Sequence, residues 1–322
     1  METIYFLVQQ TMLFSIPLLL VALGGMFSER SGVVNIALEG IMIIGAFTGI
    51  FFISRFGNLF SPTITLFIAI VISALSGLIF SLLHAYASIN MSADQVISGT
   101  ALNIFAPAFA IYITRAIQTV QQISFINNFR IESVHIFGVI PLGSIPIIGN
   151  LLFKNAYITT YFGFIILILS WFLLYKTRFG LRLRSCGEHP QAADSVGINV
   201  YKTRYFGVAI SGALAGIGGL VFVIPTSTNF NATVAGYGFL ALAVLIFGQW
   251  KPLRILYAAF FFGLMKTLAS AYSGIPILAN LPISNSIYKM IPYITTIIVL
   301  AFTSKNSQAP KASGLPYDKS MR

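Results

Sequence analysis

The chain has 322 residues, of which 57% are hydrophobic and only 8% are Asp, Glu, Lys or Arg, against roughly 25% charged in an ordinary globular domain. So few charges cannot clothe a water-soluble surface, and the mean hydropathy of +0.87 agrees. The fold class expected is an all-α polytopic membrane bundle, and the formal net charge of +11 reads as the bias of Lys and Arg toward the cytoplasmic side rather than as affinity for nucleic acid.

A membrane-crossing helix needs about 20 mostly apolar residues. In chain order the stretches 4–27, 32–54, 62–84, 96–117, 157–175, 205–224, 234–250, 253–272 and 288–304 qualify, which predicts nine spans within a range of eight to ten. The range is open because the first two stretches, on either side of Glu29 and Arg30, can be read as one broken element. The N-terminus has no basic leader region and its apolar run reaches Phe27, so it is expected as a retained span. The lone cysteine, Cys186, excludes an intrachain disulfide.

Residues 118–156 carry Gln121, Gln122, Asn127, Asn128, Arg130 and Glu132 and are too polar to cross. They are expected as an external loop, with an interfacial or re-entrant piece in the Pro/Gly-rich patch Ile136 to Gly149. The hydrophilic segment 176–204 holds Lys176, Arg178, Arg182, Arg184, Lys202 and Arg204. These fall on the same side as Lys251, Arg254 and the basic tail if four spans follow residue 204, and that side is then the cytoplasm. One membrane domain, 1–304, and a mobile tail, 305–322 with Pro310, Gly314 and Pro316, complete the expected organisation. Small residues recur every fourth position, as Ser211, Ala215, Gly219 and as Gly212, Gly216, which predicts close helix packing.

Chemistry of its own is absent from the sequence. There is no G-x-x-x-x-G-K-[ST] stretch for nucleotide phosphates, and His84, His135 and His189 are scattered without metal-ligand spacing. No nucleophile–base set is evident, so the chain is not expected to be an enzyme or to carry a cofactor. The glycines of Gly236-Tyr237-Gly238 fit a dinucleotide pattern only formally, because no strand precedes them.

Polar groups inside apolar spans are the informative residues, since they are costly there and tend to face a bundle interior or an aqueous path. Asn35 and Glu39 stand four apart, on one face if the segment is helical. Asp94 and Gln95 precede the fourth span and Asn103 lies two turns into it. These five are the candidate substrate path; the competing reading of Asn35 and Glu39 is a hydrogen-bonded pair that fixes packing. Lys266 is expected to snorkel to the interface.

Within 176–204, Pro190 suits the first position of a helix and Gly197 the residue past its end. The intervening two turns, with Ala192, Ala193 and Val196, are too short to be stable alone in water. They need a partner surface; a basic loop lying on anionic headgroups is the alternative.

The stretch Gly187-Glu188-His189-Pro190-Gln191-Ala192-Ala193-Asp194-Ser195-Val196-Gly197-Ile198 resembles the coupling loop of ABC importer permeases, and the permease superfamily for branched-chain amino acids, ribose and nucleosides is the most similar. Gly32-Val33-Val34-Asn35-Ile36-Ala37-Leu38-Glu39-Gly40 resembles the Gly-x-x-Asn-Ile-x-Leu-Glu-Gly signature of the nucleoside branch. Asp94-Gln95-Val96-Ile97-Ser98-Gly99 with Leu102-Asn103, and Ile145-Pro146-Ile147-Ile148-Gly149, are similar to that branch too, so the resemblance runs from about 12 to 304. Gln191 departs from the acid found there in other importers.

The resemblance implies a short cytoplasmic coupling helix in a loop that includes Gly187, Pro190 and Asp194, with Arg184 and Glu188 stabilising the loop and Ala192, Ala193, Val196 and Gly197 forming the docked knob. It also implies a homologous second permease subunit, an ATPase with ATP and Mg (often two fused cassettes), an extracytoplasmic binding protein and a place in a bacterial cytoplasmic membrane. The implied substrate is a nucleoside, with a simple sugar such as ribose as the alternative. An ion-coupled secondary transporter is the rival class; it predicts a relay of acids and an inverted repeat, and Glu39 alone suits a relay.

Overall fold

The computed structural model describes the chain except residues 1, 126–128, 134, 137–139, 142–148, 150–153, 273–283, 304–307 and 320–322. Among the described residues eleven α-helices follow in order: α1 Glu2–Ser31, α2 Leu38–Phe56, α3 Pro62–Ala85, α4 Gln95–Gln118, α5 Ile158–Lys176, α6 Arg178–Glu188, α7 Pro190–Ser195, α8 Val200–Thr226, α9 Tyr237–Phe247, α10 Pro252–Ala271 and α11 Asn285–Thr303. A π turn, Tyr86–Asn90, extends α3. Six short strands form three antiparallel pairs: β1 Ile123–Ser124, β2 Arg130–Ser133, β3 His135–Ile136, β4 Ile140–Pro141, β5 Lys154–Tyr157 and β6 Asn229–Phe230, paired β1–β6, β2–β5 and β3–β4.

Among the described residues, seven helices are long and apolar enough to cross a membrane, and α9 and the Ile287–Val299 part of α11 are shorter apolar helices. The all-α membrane bundle predicted from composition is the fold observed. The first two spans are separate helices, because the chain leaves α1 at Ser31 and turns at Gly32, whose φ of +100° suits glycine. The stretch 234–250 departs from a full crossing. Only Tyr237–Phe247 is helical, about 16 Å at 1.5 Å per residue, roughly half of an apolar layer about 30 Å thick. Most of the Ile136–Gly149 patch and of Ile145–Gly149 lies outside the described residues.

Helix α8 is the axis of the bundle, with α1, α2 and α3 packed on it. Its small residues are the reason. A methyl group added at Gly77 of α3 would sit 2.8 Å from the Cα of Gly216, so glycine on both sides sets the approach of the two backbones. Hydrogen bonds then tie the helices where lipid offers no competitor: Ser73 Oγ donates to Gly45 O (2.8 Å), and the Thr48 and Ser76 hydroxyls are 2.7 Å apart. Apolar side chains such as Phe67, Ile79, Ile104 and Ile168 are exposed on the outer helices, the face expected for lipid contact.

Residues 308–319 correct the expectation of a mobile tail. The Ala312 and Gly314 N–H groups donate to Gly187 O (2.8 Å) and Gly32 O (3.2 Å), and Tyr317 is buried against Tyr201. Backbone donors meeting carbonyls left open by the breaks after α1 and α6 explain the docking.

Candidate substrate path and coupling site

Two clusters of polar groups stand out, one inside the bundle and one at its basic end. The inner cluster surrounds the break between α1 and α2. Because α2 begins at Leu38, Asn35 lies outside the helix and does not share a helical face with Glu39, contrary to the spacing argument. Its Nδ2 instead donates to Ser211 Oγ on α8 (2.9 Å). Gln95 Oε1 accepts from Val34 N–H (2.7 Å), and Asn103 both accepts from Gly40 N–H (2.7 Å) and donates to Ile36 O (2.9 Å). His84, which the sequence left unassigned, places Nε2 2.9 Å from Val34 O and Nδ1 2.7 Å from Ser98 Oγ. These side chains replace the backbone partners that a helix interrupted at depth would lack.

Glu39 does something different. Its two carboxylate oxygens accept from the N–H groups of Gly236 (2.9 Å) and Gly238 (2.6 Å), at the start of α9. A buried carboxylate from α2 thus caps the N-terminus of the half-length helix, where the helix dipole favours negative charge. Two interrupted helices therefore meet at one acid. Asp94 stands apart, exposed, with Oδ1 accepting from Val96 and Ile97 N–H as the N-cap of α4. After these bonds, Asn35 Oδ1 and Gln95 Nε2 remain buried without partners.

The basic-end cluster holds the short helix. Pro190 opens α7 as expected, and Gly197 has φ of +83° with open space where a side chain would stand. Ala192, Val196 and Gly197 face outward, Val196 at 75% exposure. Ala193 does not: at 3% exposure it packs inward with Cys186, Val200 and Tyr317, so it belongs to the base of the knob and not to its tip. The Asp194 carbonyl accepts from Gly197 N–H (2.9 Å) and closes the helix end. Gly187 is buried against the Arg30 backbone, with its carbonyl taken by the tail.

Glu188 pairs with Arg30 (3.6 Å), whereas Arg184 lies 5.0 Å from the Tyr175 ring centroid. Glu188 thus contacts α1 and Arg184 contacts α5. Arg30 also donates to Trp250 O (3.2 and 3.4 Å), and Trp250 Nε1–H donates to Glu29 Oε2 (2.6 Å). The turn joining α9 to α10, left-handed at both Gln249 and Trp250, is in this way bound to the α1 end and, through Arg30, to Glu188 at the end of α6. Neither contact was legible, since 220 residues separate Arg30 from Trp250. Burial pushes the Cys186 thiol above its usual range.

A membrane bundle with two interrupted helices meeting inside it, and a two-turn helix held outward at its basic end, defines a membrane permease. Residues 7–300 match the family described as branched-chain amino acid transport system / permease component, and the chain belongs to that family. It is 42% identical over 320 residues to the nucleoside ABC transporter permease protein NupC of Lactococcus lactis, covering 99% of this chain and 98% of that protein. It is 43% identical over 317 residues to the guanosine ABC transporter permease protein NupQ of Bacillus subtilis, covering 98% and 97%. A second lactococcal nucleoside permease, NupB, is 25% identical over 275 residues, covering 81% and 72%. No solved structure matches the chain.

Proposed function

We propose that this chain is the membrane-spanning subunit of an ATP-driven importer of nucleosides in a bacterial cytoplasmic membrane. The observation that carries the reading is its 42–43% identity, over nearly the whole length, to two permeases named for nucleosides and guanosine. The basic end is the cytoplasmic end. There the outward edge of α7 docks on a separate ATPase, which carries ATP and Mg. A second, homologous permease pairs with this chain, as the coexistence of NupB and NupC in one organism suggests. An extracytoplasmic binding protein delivers the substrate.

Transport then follows alternating access. ATP-driven closure of the ATPase displaces α7, and the displacement biases the bundle only if it meets different contacts in the two states. The contacts that support such a bias are the Glu188–Arg30 pair and the Arg30–Trp250 bonds, which join the α6–α7 segment to the base of α9. The other end of α9 rests on Glu39. In this reading Asn35, Glu39, Gln95 and Asn103 shape the path by fixing the interrupted helices, and the open Asn35 Oδ1 and Gln95 Nε2 are left for solute or water. Neutral nucleosides need no counter-charge.

Radiolabelled guanosine uptake by cells carrying the complete transporter, competed by unlabelled nucleosides and pentoses, tests the proposal. Competition by nucleosides and dependence on a co-purifying ATPase are expected. Competition by ribose alone would replace the substrate with a sugar. Accumulation against a gradient by the purified chain in liposomes without nucleotide would overturn the ATP-driven reading.

A further inference from the structure

Lys266 places Nζ 5.7 Å from the ring centroid of Tyr237, a side chain at 1% exposure. Among the described residues no carboxylate pairs with it. Tyr237, stacked on Phe222 with centroids 4.0 Å apart, has a hydroxyl that is buried and without a hydrogen-bond partner. Beside Lys266, between α10 and α11, lies a cavity of about 420 Å³ lined also by Ser270, Tyr272, Lys289 and Tyr293. A cation without a carboxylate partner in a membrane helix and an orphaned hydroxyl near an aromatic-lined space are costly features unless something occupies the space.

We propose that this cavity is a nucleobase subsite on the substrate path, and that Lys266 reads the base. The inference rests on the nucleoside reading above. Tyr272 and Tyr293 offer faces on which any base stacks, which is tolerant of sequence or base identity. The specific element is the pair of donor-only ammonium groups, Lys266 and Lys289, beside hydroxyls that can turn to donate, with no carboxylate among the lining residues. That set suits a base edge carrying two adjacent acceptors, O6 and N7 of a 6-oxopurine, and it penalises adenine, whose exocyclic amine is a donor at the same place. The volume is within the range of small-molecule sites. The ligand class is therefore guanosine and inosine in preference to adenosine.

The test uses the assembled transporter with its binding protein at saturation, so that delivery does not limit, and measures maximal uptake of guanosine, inosine and adenosine. Lys266→Met is expected to lower the two 6-oxopurine rates about tenfold, the scale of one charge-assisted hydrogen bond, while adenosine changes less than twofold. Lys266→Arg retains the guanosine preference. Tyr293→Ala, at an exposed position of α11, lowers all three rates together. Photolabelling with 8-azidoguanosine marks α10 or α11 in the wild type. If the wild type carries guanosine but Lys266→Met keeps the wild-type ratio of rates, or the label lies on other helices, the subsite is wrong and nucleoside import stands. If the wild type carries no nucleoside, the import reading itself fails.

Discussion

Glu39 shows how much one side chain can be asked to do in a low-dielectric interior. Its carboxylate satisfies two backbone donors at the start of α9, and leaving a buried donor unpaired costs about 1–3 kcal/mol. Glu39→Ala is expected to lower the thermal stability of the purified protein and to reduce uptake severalfold, with Glu39→Gln intermediate because an amide keeps one acceptor oxygen. Unchanged uptake in Glu39→Ala would confine the residue to packing. Cys186 gives a second handle. Burial raises its thiol, so at pH 7 the thiolate fraction is below that of a free cysteine, and reaction with maleimide is expected to be slow and to accelerate as pH rises. Tyr317→Ala, which opens the cluster around Cys186, should speed labelling at pH 7 as followed by intact-protein mass. Polarity inside an apolar run made Glu39, Gln95 and Asn103 legible as important residues. Their partners were not legible, because each bonds backbone far away in the chain, at a separation set by packing and not by spacing.

Elements were legible to the extent that hydropathy reports solvent. The apolar runs located every long helix, and Pro190 and Gly197 bracketed α7 within a residue or two. Hydropathy is silent about backbone continuity, which is why 234–250 read as a full span. Positive φ at Ala235 and Gly236 turns the chain before α9 begins, inside the mostly apolar run 234–250. The same limit hid which face of α7 is free. Burial now separates the two classes of substitution there. Ala193→Trp overpacks a site at 3% exposure and is expected to destabilise the protein by about 1–3 kcal/mol, visible as less protein in the membrane. Gly197→Glu meets open space and a left-handed backbone. It is expected to leave membrane abundance near normal while uptake is lost and ATP hydrolysis no longer responds to substrate. A well-expressed Gly197→Glu variant with full uptake would remove the docking role of α7.

At the scale of the molecule, the packing of small residues on α8 was foreseeable, but the closure of the basic end was not, because a Pro/Gly-containing, charged tail looks alike whether free or docked. In the fold the tail touches each part that a coupling stroke would have to move together. Gln308 N–H donates to Gln249 Oε1 in the α9–α10 turn (2.8 Å), Ala312 meets Gly187 at the root of α7, and Arg204 donates to Leu315 O (3.0 Å). Tyr317 packs behind Ala193. A strap with these anchors ties α6, α7 and the α9–α10 turn together, and the coupling proposal then predicts that a push on α7 is carried into α9. Deleting 308–322 removes the anchors but leaves the Arg30–Glu188 pair and every spanning helix. The protein is therefore expected to reach the membrane and bind its ATPase, while the nucleoside carried per ATP hydrolysed falls severalfold, measured by parallel uptake and phosphate release in proteoliposomes. An unchanged ratio would show that α7 transmits its motion through Arg30 alone, and that the strap only covers the end of the bundle.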